Sequence, residues 1–506
     1  MTDFAAAGND RLLGTSSPFI TEPTYDWSRD ARIIATRAQA FVCNDPFGGS
    51  MVAAALQGEH GPCGLRPRSL AYLDADETTS KSERTLRRQI ETGLAASRGK
   101  AADVCGVLTR KQIDLALSWM AKVLGEGFAI RLLRPGRVHA RYATCWRLIR
   151  PERVTNPDGR PNDDRLYEGF ELDEDGAVVA IHIQMGRTGA FGFAEKPRWI
   201  RVPWYSDDGV TNVIHRVGWR LPGMLRGVSM FTPLLLLARQ LGGVIESHVI
   251  GKRAQACTPI IYYVDDPEAS AEAAKLGSGA IVGPHTKFNP LQVYYAKIGN
   301  QVDFKNTTFQ GDDLQKFHAV ASRVLCAVWQ LPVEVVLAKM GEASLASARA
   351  GLDQFDRTCQ TNQDDHITEA SQPMDEAHVA EMVALGEIMP GSAGITGLSA
   401  SRYSRPPKYS TDRKKDAETV DIYVNKLNRS KTASYAEFGW SFEDETEERI
   451  RDEEFENEAR AAAGLPPLNA PTADGRAPDD EKPADDTAKP DDDTAPAEET
   501  QEATAP

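Results

Sequence analysis

Two stretches of this chain, residues 231–256 and 312–331, carry apolar side chains at helical spacing, with residues 257–311 between them. In the first, Leu234, Leu237, Leu241, Val244, Ile245 and Val249 recur along one side. Thr232 stands as an N-cap and Pro233 suits the first helical position, where a missing N–H costs nothing. In the second, Leu314, Phe317, Val320, Val324, Leu325 and Val328 form the stripe, and Pro332 stops it. Two such helices, joined by an excursion of this length, cannot cover both stripes by themselves. Packing against neighbouring copies in a closed ring would cover them and leave no open edge.

The remaining chain supports several domains. At 506 residues it exceeds one core, and 41% hydrophobic residues suffice to build more than one. Residues 28–43 have helical spacing and halt at Asn44-Asp45-Pro46. Residues 74–82 read as a polar loop. A helix begins after Thr109, where Thr109 and Gln112 have capping-box spacing, and Gly125 ends it. Strand signals follow. The runs 128–133 and 140–149 flank Pro135-Gly136, 167–172 and 177–184 flank Asp175-Gly176, and 199–205 and 210–217 flank Asp207-Asp208-Gly209. Three hairpins in succession predict an antiparallel β-rich domain. Residues 291–298 suggest one more strand. A third helix runs from Leu345 towards Ser371, a fourth covers 374–385, and a Gly/Ser-rich break at 391–401 precedes short polar helices between 411 and 463.

Charge is unevenly distributed. The net charge is -15, but residues 471–506 hold 12 acidic and 3 basic side chains, and residues 441–460 hold 10 and 3. The body is therefore nearly neutral and lacks the basic footprint of a tight nucleic-acid binder. Beyond residue 466 the composition is Pro, Ala, Asp, Glu and Thr, which predicts a disordered acidic tail. The tail would either repel DNA, bind a basic partner, or only solubilise. The N-terminus has no secretory pattern, and the apolar run 228–238 is too short to span a bilayer, so no membrane association is expected. Seven scattered cysteines without a CxxC pair read as reduced thiols.

Catalytic patterns fail one by one. The Gly-rich run from Gly93 to Lys100 has one residue too many for a phosphate loop, and Ala101 replaces the hydroxyl that would hold magnesium. The run Gly277–Gly283 misses the dinucleotide fingerprint. The nine histidines form neither HExxH nor HxH, and His182 and His215 read as structural residues in strands. No cofactor, metal or catalytic residue is assigned. The rival readings are a DNA-packaging enzyme (terminase or nuclease), which the missing phosphate loop disfavours, and a non-ring adaptor or scaffold protein.

Nine short runs in a fixed order carry a resemblance. They are Arg37–Phe47, Gly125–Ala129, Leu148–Val154, Glu168–Gly176, Leu225–Ser229, Leu331–Val336, Ser347–Leu352, Arg405–Lys408 and Phe438–Ser441. Together, over roughly residues 27–466, the chain resembles the lambda-type tailed-phage portal family. The resemblance implies an α+β portal fold, divided into an N-terminal wing region (1–230), stem helices (231–256 and 312–331) and a clip (257–311). A tunnel loop and tunnel helix with a return to the wing (332–400), a helical crown-like end (401–466) and the tail (467–506) would follow. It implies a ring, typically of twelve copies, at one capsid vertex in the virion, assembled in the host cytoplasm. Double-stranded DNA would pass through it. The terminase large subunit, head-completion or adaptor proteins and the major capsid or scaffold protein would attach. Lys339, Met340, Glu342 and Ser344 would line the channel, with Lys339 the single basic residue from Val333 to Ala348.

Overall fold

The computed structural model describes residues 23–72, 81–186, 198–256, 260–264, 280–281, 293–297, 311–338, 345–391, 394–406, 413–437 and 442–462. Two helices open it, α1 (Pro23–Asn44) and α2 (Pro46–His60). The Asp45 carboxylate accepts from the Phe47 and Gly48 N–H groups, so the predicted turn is also the cap of α2. Strand β1 (Arg66–Ser69), helix α3 (Lys81–Ser97) and helix α4 (Arg110–Leu124) follow. Thr109 and Gln112 form the expected capping box on α4. The loop expected at 74–82 lies mostly outside the described residues, and Lys81 and Ser82 already belong to α3.

The chain leaves α4 through Gly125 at φ +101, where a Cβ would stand 2.7 Å from the Val228 carbonyl carbon. Only glycine accommodates that backbone and that approach together. Two antiparallel sheets come next. In the first, β2 (Glu126–Leu133) lies between β3 (Thr144–Ile149) and β8 (Val213–Val217). The second runs β4 (Leu166–Tyr167), β5 (Phe170–Leu172), β6 (Val178–Met185), β7 (Arg198–Pro203) in order. Phe128, Ile130, Ile149, Phe170, Ile181, Ile183 and Val213 make the shared core of the two sheets.

Two of the three expected hairpins change. The run 167–172 is broken at Glu168-Gly169, both at positive φ, so it folds on itself as β4 and β5. The strands expected to pair across Asp207–Gly209 instead part company: β7 joins β6 and β8 joins β2, with one bridge left, Tyr205 to Thr211.

Helix α5 (Leu235–Ala256) starts later than the Thr232-Pro233 signal suggests. The Thr232 hydroxyl donates to the Ser229 carbonyl, and residues 230–234 form turns. Three short strands, β9 (Ile260–Val264), β10 (Ala280–Ile281) and β11 (Val293–Lys297), pair in parallel as β10-β11-β9 before helix α6 (Gly311–Val328). Pro332 then caps a five-residue helix, α7 (Val333–Leu337), where a loop was expected. Helix α8 (Leu345–His366) continues through a π-turn (Ile367–Ser371) into α9 (Gln372–Ala384). The break expected before Pro373 does not occur. The Gln372 N–H reaches back to the Ile367 carbonyl, and this wider turn passes the proline without ending the helix.

The Gly/Ser-rich stretch is more ordered than its composition suggests. It holds α10 (Gly394–Ser399) and β12 (Ser401–Ser404), and β12 pairs antiparallel with β1. Helices α11 (Arg413–Asp421), α12 (Lys431–Glu437) and α13 (Phe442–Ala462) complete the described chain, the last of them 21 residues long rather than short. The predicted tail lies outside the described residues. The main core gathers α1, α2, α4, α6 and α8 around Met51, Ile113, Leu117, Phe231, Leu325, Trp329 and Phe355.

Candidate functional site

Helix α6 is apolar on two adjoining faces. Ala321, Ser322, Leu325 and Cys326 are buried against the chain itself, and Leu325 has no solvent exposure. Trp329, just past the helix, packs its ring 4.5 Å from that of Phe231 and donates from Nε1 to the Met230 carbonyl. Beside this face runs a second stripe, Phe317, Val320, Val324 and Val328, at i, i+3, i+7 and i+11. These four are 41%, 60%, 48% and 44% exposed. Leu234, just before α5, and Ala238 and Leu241 on it are covered, whereas Leu236, Val244, Ile245, Val249 and Ile250 remain exposed. The sequence stripes are therefore real, but each divides into a covered part and an open part. A single-stripe reading misses the division, because Leu325 and Val324 differ only by the 100° step between neighbours.

A second concentration of chemistry is fully enclosed. Glu59 at the end of α2 receives Lys122 Nζ at 2.8 Å on Oε2 and the Ser118 hydroxyl at 2.7 Å on Oε1. The same serine oxygen lies 2.9 Å from His60 Nε2 and 3.1 Å from His366 Nδ1. Arg216 on β8 bridges to Glu369 in the π-turn at 2.7 Å. Nearby, Arg110 binds Asp114 at 3.0 Å, Asp375 at 2.9 Å and the Ser371 carbonyl at 3.1 Å, while Tyr403 donates to Asp375 at 2.8 Å. Burial opposes ionisation of Glu59, but Lys122, His60 and Arg216 outweigh it and hold the carboxyl well below its usual range. Asp114 is lowered in the same way by Arg110 and His366 against burial. Burial, with His366 beside it, pushes His60 down to about 4.

Glu59, His60 and His366 have the spacing of a metal site, with Glu59 Oε1 3.7 Å from His60 Nε2 and 3.9 Å from His366 Nδ1. The centre of that triangle is filled, however. Ser118 Oγ touches all three groups, and Lys122 already neutralises the carboxylate. A cation would have to displace the hydroxyl and sit beside the buried ammonium. The cluster is a structural polar core that joins α2, α4, β8 and the α8–α9 turn. No sequence motif announced it, since its members are distant in sequence, as with Arg110 and Asp375, 265 residues apart.

His182 and His215 take structural places, as expected of strand residues. His182 meets Glu171 at 3.2 Å and His215 meets Glu126 at 2.9 Å. Glu126 also receives Arg226, whose other nitrogens donate to the Pro151, Val154 and Glu168 carbonyls. Lys339, Met340, Glu342 and Ser344 lie outside the described residues. No helix among the described residues is long and apolar enough to cross a membrane.

The described residues thus combine an α+β architecture with a buried polar core and a helical face that is partly open. The chain belongs to the lambda family of phage portal proteins, whose family model matches residues 9–363. That family is one of structural proteins of the virion. No curated protein matches. Among solved structures, the chain is similar to one described as the virion of a native gene transfer agent particle, at 14% identity and a TM-score of 0.43, covering 87% of this chain and 94% of the other. It is also similar to the neck of a native gene transfer agent particle computed with C12 symmetry, at 12% identity and a TM-score of 0.41, covering 81% and 94%.

Proposed function

We propose that this chain is the subunit of a portal ring, typically of twelve copies in this family, at one capsid vertex. The ring is the channel for DNA packaging and ejection and the platform for the terminase large subunit and the head-tail joining proteins. In this reading α5 and α6 are the stem, residues 257–311 the clip, and residues 332–400 the tunnel loop and tunnel helix with the return to the wing. Residues 401–466 form the crown-like end.

The observation that carries it is the open stripe on α6. Phe317, Val320, Val324 and Val328 continue an apolar surface that the chain covers only in part. Burying one such side chain is worth roughly 1.5–3 kcal/mol, so a second copy laid on this face gains far more than a solvated face does. If the α5 face of one copy meets the α6 face of the next, the contact is heterologous and gives a ring where the rotation between copies closes.

The test is the mass and shape of the purified full chain. Twelve 55.4-kDa copies give an assembly of about 660 kDa with a central hole in negative-stain images. The variant Val320→Asp/Val324→Asp should leave smaller species at the same concentration. A wild-type chain that stays monomeric under every assembly condition overturns the reading.

A further inference from the structure

The acidic chain contains a strongly basic stretch on its β2–β3 hairpin. Between residues 131 and 153 there are seven arginines, Arg131, Arg134, Arg137, Arg141, Arg147, Arg150 and Arg153, against a single acid, Glu152. The structure brings three of them to one place, the loop end of the β2–β3 hairpin. The Arg134 N–H bonds the Ala143 carbonyl, closing the ladder beyond Leu133 and Thr144. Arg137 folds back across this end and donates to the Arg134, Asp103 and Thr144 carbonyls. Arg147 lies two residues along β3 from Cys145, on the same face of the strand. Arg137, Arg134 and Arg147 all favour the thiolate at Cys145, although burial dominates and pushes that thiol up.

One carboxylate reaches this end from elsewhere in the chain: Glu381 accepts from the Ala143 and Thr144 N–H groups at 2.6 and 2.9 Å, and is thus tied to the backbone rather than to an arginine. Arg141 pairs with Glu387 at 3.0 Å and Arg150 with Glu152 at 2.9 Å. Among the described residues, by contrast, Arg134 and Arg147 meet no carboxylate at ion-pair distance, and Arg137 is held by backbone carbonyls alone. The Asp103 carboxylate accepts the Val107 and Leu108 N–H groups, and its charge, like those of the arginines, acts on Cys145. A guanidinium held by carbonyls keeps its full charge and its planar fork, which suits phosphate oxygens.

We propose that this hairpin end, through Arg134, Arg137 and Arg147, is a contact site for the phosphodiester backbone of double-stranded DNA, blind to base sequence. A protein partner is the poorer fit. Specific protein interfaces bury about 800 Å² per side around aromatic or aliphatic anchors, whereas the exposed large apolar groups at this end are Leu133, Val138 and, beside Asp103, Val107, none of them aromatic. Backbone contact with DNA needs no apolar anchor, only uncompensated cations facing a dense line of charge. The nearly neutral body of the chain leaves such a contact local, so that it guides DNA without gripping it.

Fluorescence anisotropy of a labelled ~16-bp duplex against the full chain, across ~50 to ~200 mM KCl, tests this. Three phosphate contacts predict a log–log salt slope near -2.7, roughly 0.9 per contact. Arg134→Gln/Arg147→Gln, which spares the structural bonds of Arg137, should bind about tenfold more weakly and lose about two from the slope. The control Arg160→Gln removes an exposed charge elsewhere and should match the wild type. Equal affinity and slope in the double variant overturn the proposal. It also falls if a peptide of residues 471–506 competes for these arginines more tightly than the duplex. Light scattering on the same samples reports ring formation separately, so failure of one reading is distinguishable from failure of the other.

Discussion

Lys122 Nζ meets Glu59 Oε2 at 2.8 Å with both side chains withdrawn from solvent. This pair ties the end of α2 to α4, and through Ser118 and His366 it reaches the turn between α8 and α9. Removing either partner leaves an uncompensated buried charge, which costs far more than the pair contributes.

Glu59→Gln should therefore lower stability by about 3–5 kcal/mol. Adding Lys122→Met should recover part of that loss, since the orphaned ammonium is then gone. Chemical denaturation of the two variants and of Lys122→Met alone closes the cycle. Additive losses would show that the two side chains are not coupled.

Acid should weaken the fold in two stages. Burial holds His60 and His378 down to about 4, against an ordinary value of 6.5. A depressed pKa contributes stability above 6.5 that drains away as pH falls towards 4, because only the unfolded chain takes up the proton. The lowered carboxyls of Glu59 and Asp114 add their loss below about 4.5, where the unfolded groups protonate. Melting temperature should fall between pH 6.5 and 4.5 and fall faster below. His378→Phe should flatten the first stage, and an unchanged slope would remove His378 from the account.

Gly125→Ala should destabilise by about 2 kcal/mol or more, through positive φ and through the clash with the Val228 carbonyl carbon. Gly99→Ala, at an ordinary negative φ with open space around its Cβ position, is the matched control. Comparable melting temperatures for the two variants would contradict the close passage described at Gly125.

Lys339→Ala tests the proposed channel lining. If Lys339 meets DNA phosphates, packaging by particles carrying the variant should change in rate and in salt sensitivity. Normal rate and normal salt response would dismiss the role, and with it the grouping of Lys339 with Met340, Glu342 and Ser344.

Much of the local structure was written in the sequence. The capping box at Thr109 and Gln112, the Asp45-Pro46 turn and the apolar periods of α5 and α6 are short-range signals, and each formed near its predicted place. The ordered runs from Arg37 to Ser441 named the family for the same reason: local sequence habits need no tertiary information. What only the tertiary structure decided is which partner each element meets. Strands β7 and β8 abandoned their hairpin for different sheets, Pro373 was absorbed by a π-turn, and β12 returned to β1. The polar core from Glu59 to Asp375 and the division of α6 into a covered face and an open stripe belong to that same level. Periodicity shows that a face is apolar. What covers the face depends on long-range packing, which for Val320 and Val324 the chain leaves unfinished.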